Sequence, residues 1–192
     1  NIPLPLTMGS DGSGKIVEVG ANISKFKIGD KIVVQPGTFP DECKSVIDGR
    51  ENYSHKYGIL GETENGIQSE FVILKPKNIH LMPNDLSFEE AASMQLVFMT
   101  SYQMLVKRAK LKKDEFVLIY GATSGVGSAA IQIAKDINAR IITTVGNKNK
   151  FNYAYEMGAD YVLDHSKPYT SIIKDVTNNK GVDVVFEHIG PI

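Results

Sequence analysis

The sequence predicts an α/β chain in which a parallel sheet with helices on its faces follows an all-β segment. Three observations predict it. From Phe116 onward, apolar runs alternate with amphipathic stretches, strand and helix in turn. A glycine-rich turn directly follows the first of those runs. Before Pro83 the patterning is instead period two, punctuated by Gly-Asp and Asn-Gly turn signals.

The elements follow in order. GKIVEVG is a short alternating strand, and KIGDKIVVQP puts a Gly-Asp turn before a buried strand. ENGIQSEFVIL sets Asn65-Gly66 ahead of a period-two run, a hairpin-type signal. Between the last two lies a polar stretch, Gly37 to Glu64, expected as a long functional or stapled excursion. The character changes at Pro83. Ser87 and Glu90 have capping-box spacing, so a helix should begin there and run through Ala91-Ala92. Strands are then expected at Phe116 to Tyr120, Ile141 to Val145, Tyr161 to Leu163 and Val182 to Phe186. Helices are expected at Val126 to Ile137, Phe151 to Met157 closed by Gly158, and Ser171 to Thr177.

Composition excludes several functions. The 192 residues, 42% hydrophobic and 22% charged, describe a globular protein with room for one large or two small cores. With 21 Lys+Arg against 22 Asp+Glu there is no basic field, which argues against nucleic acid or an anionic membrane as partner. No apolar run approaches the roughly 20 residues that span a bilayer. A single cysteine, Cys43, cannot close an intrachain disulfide, and NIPLPLTMG lacks a secretory layout; the expectation is cytoplasmic. Because the first residue is Asn1 rather than Met, the expectation is that either something was removed or the chain is a piece of something longer.

YGATSGVGSAAIQIA sits where a phosphate loop belongs, after a buried strand and before a helix. Small residues there let backbone N–H groups approach a pyrophosphate, which the helix N-terminus also favours. An NAD enzyme or methyltransferase needs an acid about 20 residues on, at the end of the second strand, to hold ribose hydroxyls. Here that strand ends Thr144-Val145-Gly146-Asn147-Lys148-Asn149-Lys150, without a carboxylate. Amide and ammonium groups suit a 2′-phosphate, and one charge-assisted hydrogen bond of roughly 1.5–3 kcal/mol sets about a ten- to hundredfold preference for NADPH. GATSGVG also fits the short-chain dehydrogenases. Against them stand the long segment before the turn and the lack of any tyrosine with a lysine four positions later.

Taken together, GSDGSGKIVEVG, GDKIV, EFVIL, LSFEEAASM with Thr100-Ser101-Tyr102, GATSGVG, MGADYVLD and GVDVVFEHIG resemble the medium-chain dehydrogenase/reductase superfamily, near its quinone oxidoreductase and enoyl reductase branch. The resemblance implies a GroES-like β domain over residues 1–86 and a Rossmann domain over 87–192, both incomplete, with substrate in the cleft between them. It also implies a homodimeric full-length protein, a fragment inactive alone, and a fourth strand, VDVVF, left as an apolar edge.

In zinc-dependent relatives a histidine and a cysteine ligand stand where this chain has Ser10 and Leu96, so no catalytic zinc is expected. Their stapling cysteines correspond to Pro40, Cys43, Val46 and Ser54, leaving Cys43 a bystander thiol. Without a Lewis acid, the favoured substrates are small molecules that delocalise charge themselves, such as quinones or α,β-unsaturated carbonyls and thioesters. No catalytic residue is assigned. Carried over by position, Thr100 lies beside the nicotinamide, and Ala122, Thr123, Ser124, Gly125, Val126 and Gly127 cradle the pyrophosphate. Asn147 and Lys150 face the adenosine phosphate together with His165, which is equally well a strand-end loop histidine, and Gly190 borders the nicotinamide pocket. Two alternatives stay open: a divergent zinc alcohol dehydrogenase, and a non-catalytic NADPH-binding protein.

Overall fold

Residues 2, 4–42 and 44–190 are described by a computed structural model. Cys43 lies outside the described residues. The chain divides into two units, Asn1–Leu96 and Val97–Ile192.

The first unit holds β1 (Ser13–Lys15), β2 (Lys31–Val34), β3 (Gly37–Thr38), a one-turn α1 (Lys44–Ile47), β4 (Gly58–Ile59) and β5 (Ile79–Leu81). β2 is central in an antiparallel sheet between β1 and β5, while β3 and β4 form a separate antiparallel pair. Side chains of a strand alternate between faces. Ile32 and Val34 accordingly join Phe26, Leu60 and Ile79 in one core, while Val33 packs with Met82 and Ala91 on the other side. The long excursion carries the β3–β4 pair, and buried Asn78 fastens its start by donating to the carbonyls of Gln35 (2.9 Å) and Gly37 (2.7 Å).

One expectation is corrected. Asn65-Gly66 does not turn a hairpin, and residues 67–75 form no strand. A type I′ turn needs positive φ at both central residues, and neither residue has it. The segment pairs instead with residues 7–9. Asn65 Oδ1 accepts from the Thr7 N–H (2.9 Å), and the N–H groups of Gly66, Ile67 and Gln68 donate to the carbonyls of Thr7, Gly9 and Met8 at 2.7, 3.0 and 2.9 Å. Non-local backbone pairing has overridden the local turn signal, and Phe71, Val72 and Ile73 stand exposed.

The capping box forms as expected. The Ser87 N–H donates to Glu90 Oε2 at 2.8 Å and the Glu90 N–H to Ser87 Oγ at 3.1 Å, starting α2 (Phe88–Tyr102). Donation from the Ser87 N–H and from the Ser87 hydroxyl holds the Glu90 carboxyl below the usual carboxylate range. A π-helical stretch, Gln103–Ala109, prolongs α2 until Lys110 turns left-handed at φ 54°.

The second unit continues with β6 (Phe116–Ile119), α3 (Gly125–Asp136), β7 (Arg140–Val145), α4 (Phe151–Met157), β8 (Tyr161–Asp164), α5 (Thr170–Val176) and β9 (Val184–Phe186). All four strands pair parallel in the order β8-β7-β6-β9. Each apolar run sends residues to both faces. Val117, Ile119, Ile141 and Phe186 meet Ala130, Ile131, Ala134 and Ala154 on one side. Leu118, Ile142 and Leu163 meet Tyr169, Ile173 and Val176 on the other. Gly158, at φ 114°, closes α4 as the sequence indicates. β9 lies at the sheet edge with Val185 exposed. Among the described residues no helix is long and apolar enough to cross a membrane.

Ser87→Ala is expected to cost about 1 kcal/mol, because it removes the oxygen that caps α2. A thermal melt of the full-length protein checks this through a lowered midpoint.

Candidate dinucleotide site

The site is built where β6 gives way to α3. Gly121 takes φ +66°, a left-handed conformation that lets the chain leave the sheet sharply. Its N–H donates to Thr144 Oγ1 (3.1 Å) and that of Ala122 to the Thr144 carbonyl (2.9 Å), so the turn is tied to the neighbouring strand. Ser124 then caps α3, its Oγ accepting from the Gly127 N–H at 2.9 Å and donating to the Gly121 carbonyl at 2.9 Å. Position 127 admits no side chain. A Cβ there would fall 2.2 Å from the Gly121 oxygen.

These bonds leave a definite donor set. The first N–H groups of a helix have no intrahelical partner, and Ser124 occupies that of Gly127. The amides of Gly125 and Val126 remain at the positive end of α3, the arrangement that takes an anion. Thr100 precedes Ser101 in the last turn of α2. Buried Ser101 donates from Oγ to the Val126 carbonyl (2.9 Å), and a Cβ on Gly125 would touch Val97 Cγ1 at 3.0 Å. The last turn of α2 is thereby fastened to the start of α3.

A second rim comes from the end of β7. Asn147 Oδ1 accepts from the Asn149 N–H (2.9 Å) and caps the short 3-10 turn Lys148–Lys150. Its carbonyl oxygen is committed, and the amide nitrogen is the part that remains for an anion. Lys150 Nζ lies 3.4 Å from Thr123 Oγ1, so an ammonium and the glycine-rich turn meet. The His165 N–H bonds the Val145 carbonyl (3.1 Å), and its ring lies so close to Gly146 that a Cβ there would meet Cε1 at 3.0 Å. The nearby Asp164 carboxylate is turned to Ser166, accepting from its N–H (3.0 Å) and its Oγ (2.6 Å). Those bonds hold the Asp164 carboxyl below the usual carboxylate range.

A third rim follows β9. The Glu187 carboxylate accepts from the N–H groups of Ile189 and Gly190, closing a tight loop in which Gly190 sits at φ +86°. His188 Nε2 lies 2.9 Å from Ser124 Oγ, and its ring packs on Phe186 with centroids 5.6 Å apart. Burial pushes the imidazole below its ordinary value of 6.5, with the Glu187 carboxylate opposing. Of this loop the sequence reading singled out only Gly190. The signal for Glu187 and His188 was their place at the C-terminal end of a strand beside the first one, where ligands of open α/β sheets bind.

Ser10 and Leu96, which the resemblance is expected to place at the zinc-ligand positions of relatives, lie in the first unit. Ser10 Oγ donates to the Leu60 carbonyl at 2.7 Å, and the Leu96 N–H donates to the Asp11 carboxylate at 3.0 Å. Among the described residues no group of three His, Cys, Asp or Glu side chains is placed to hold a metal ion. The donors around Gly121–Gly127 do fit the diphosphate of a dinucleotide: amides without helical partners, a cradle that a Cβ would fill, and one nearby ammonium.

The fold and the site together define a class of chains that carry a glycine-rich, dinucleotide-type turn between a parallel sheet and a helix. Residues 1–84 match the alcohol dehydrogenase GroES-like domain family and residues 125–192 the zinc-binding dehydrogenase family. A crystal structure of an NAD-dependent alcohol dehydrogenase superposes with a TM-score of 0.95 at 39% identity, covering 98% of this chain and 55% of that one. An NAD-dependent alcohol dehydrogenase from Sulfolobus acidocaldarius is 31% identical over 97% of the chain and 54% of its own length. The quinone oxidoreductase of Homo sapiens is 29% identical over 98% and 50%. The chain belongs to the medium-chain dehydrogenase/reductase superfamily, whose members bind nicotinamide cofactors. It spans about half the length of the curated relatives it matches.

Gly127→Ala is expected to displace α3 from Gly121 and to destabilise the protein by about 1–3 kcal/mol, the cost of overpacking, with parallel loss of dinucleotide binding. Calorimetry and a binding titration check both. A second expectation concerns pH. The unfolded chain binds the His188 proton before the folded one does, so the contribution of neutral His188 is full above pH 6.5 and is lost as pH falls through its depressed folded value. As pH falls below about 6.5 the melting midpoint should fall more steeply for the wild type than for His188→Gln.

Proposed function

We propose that the full-length protein is an NADPH-dependent, zinc-independent reductase of quinones or activated alkenes. The observation that carries the cofactor choice is the end of β7. It presents Asn147 and Lys150 and no carboxylate, and Lys150 Nζ reaches Thr123 of the turn. In this reading residues 1–86 are the GroES-like domain and 87–192 the dinucleotide-binding domain.

Each proposed contact has a physical role. The amides of Gly125 and Val126, at the N-terminus of α3, hold the pyrophosphate, and Ala122 and Gly127 keep side chains out of its way. Lys150, the Asn147 amide and His165 surround the 2′-phosphate. Thr100, held by its neighbour Ser101, and Gly190, in the loop closed by Glu187, orient the nicotinamide end. When bound, the cofactor supplies a hydride. Ser10 and Leu96 offer no ligand to a Lewis acid, which favours a substrate able to spread the developing charge over its own conjugated system. The likeness to the human quinone oxidoreductase and to crotonyl-CoA reductase of Streptomyces avermitilis supports that substrate class. The protein is further proposed to act in the cytoplasm as a homodimer.

The 39% identity to an NAD-dependent alcohol dehydrogenase favours a second reading, alcohol oxidation with NAD. Titration of the full-length protein with NADPH and NADH, metal analysis, and turnover over quinones, enones and simple alcohols separate the two. Tighter binding of NADH, or stoichiometric zinc with alcohol turnover, refutes the first reading. Cofactor binding without any turnover leaves a non-catalytic NADPH-binding protein. Lys150→Ala is expected to weaken NADPH about ten- to a hundredfold, the worth of one charge-assisted hydrogen bond, while NADH changes little. Equal losses for both cofactors would contradict the assignment of Lys150.

A further inference from the structure

Among the described residues, His188 Nδ1 is a buried side-chain nitrogen without a hydrogen-bond partner. An orphan of this kind calls for an account, because native proteins rarely bury polar atoms unpaired. The account lies on the other side of the ring. Ser124 Oγ has three neighbours at 2.9 Å: the Gly121 carbonyl, the Gly127 N–H and His188 Nε2. A hydroxyl has one proton and two lone pairs. Its proton goes to the Gly121 carbonyl, which can only accept. One lone pair takes the Gly127 N–H. The remaining lone pair matches His188 only if Nε2 carries the proton.

The opposite tautomer fails twice. It would draw the Ser124 proton away from the Gly121 oxygen, and it would leave Nδ1–H as a buried donor with no acceptor. Orphaned buried N–H groups are rarer than under-satisfied acceptors. The charged imidazolium has the same fault, since it too places a proton on Nδ1. Around the ring stand apolar Phe186, the uncharged turn of Gly121 and Ser124, and Glu187, whose carboxylate is engaged by the Ile189 and Gly190 amides.

We propose that His188 is a positioning residue, neutral and protonated on Nε2, that clamps Ser124 and so sets the shape of the Gly121–Gly127 turn. The clamp uses up the hydroxyl of Ser124. That side chain therefore gives nothing to a bound phosphate, and the turn acts on an anion through its backbone amides alone. The clamp also joins the loop after β9 to the turn after β6, so the surroundings of Gly190 and the N-terminus of α3 are fixed together.

This inference rests on the dinucleotide reading only for its effect on cofactor affinity. The test uses the full-length protein labelled with nitrogen-15 in histidine. Long-range nitrogen–proton spectra without cofactor at neutral pH should show one histidine, absent in His188→Gln, with Nε2 protonated and Nδ1 bare. An Nδ1–H tautomer or a charged ring would overturn the proposal. His188→Leu and Ser124→Ala should each weaken NADPH about three- to tenfold, and the double variant should be no weaker than either alone. His188→Gln, whose amide restores a donor near the Nε2 position, should retain affinity. Additive losses, or a Gln variant as weak as the Leu variant, would refute the clamp. If the protein takes up neither NADPH nor NADH, the dinucleotide reading fails. The tautomer spectrum and the same cycle read by thermal melting still decide the clamp.

Discussion

The oxygen of Gly121 and the α-carbon of Gly127 approach so closely that a single Cβ between them would lie 2.2 Å from that oxygen. Everything around the candidate site depends on this approach. Because the helix can sit against the end of β6, its first amides open directly above the sheet. Ala129, Ala130 and Ala134, all fully buried, continue the same requirement down α3, since small side chains let a helix lie close to a sheet. Strand order then places β7 and β9 on either side of β6, and the loops that follow them supply the remaining walls.

Side-chain hydroxyls hold this arrangement, and backbone groups are left to meet a ligand. Thr143 Oγ1 donates to the Ile119 carbonyl at 2.7 Å, Thr144 Oγ1 accepts from Gly121, and Ser101 Oγ donates to Val126. Each hydroxyl is spent on the main chain, where it satisfies buried groups that would otherwise be costly. Carboxylates follow the same logic. Asp164 and Glu187 lie near the rims, yet each is engaged by donors of its own turn. Their charge is fixed in direction, and Lys150 is the ammonium that meets the turn.

Much of the second unit was legible because its signals are local and repeated. Apolar runs of strand length, Gly158 at a helix end and a glycine-rich turn after a buried strand each read the same way in isolation and in the fold. The first unit was less legible. Asn65-Gly66 is a strong hairpin signal, but its backbone found partners in residues 7–9, far away along the chain. Phe71 to Ile73 are the β-prone residues of that expected strand and are nonetheless exposed, without a pairing partner in the described sheets. A period-two pattern states what a strand needs, not whether another strand is present to supply it.

By itself the sequence determined which segments are helix and strand in the second unit, where a glycine-rich turn joins the first of those strands to its helix, and that the strand after it ends without an acid. Those properties depend on side-chain volume, backbone freedom and charge at adjacent positions, which are written in order along the chain. Only the tertiary structure decided that Lys150 meets Thr123, that Asn147 spends its carbonyl on a local cap, and that His188 clasps Ser124. The contacts of Lys150 and His188 join residues 27 and 64 positions apart, and their partners are selected by the register of parallel strands, which no local pattern encodes.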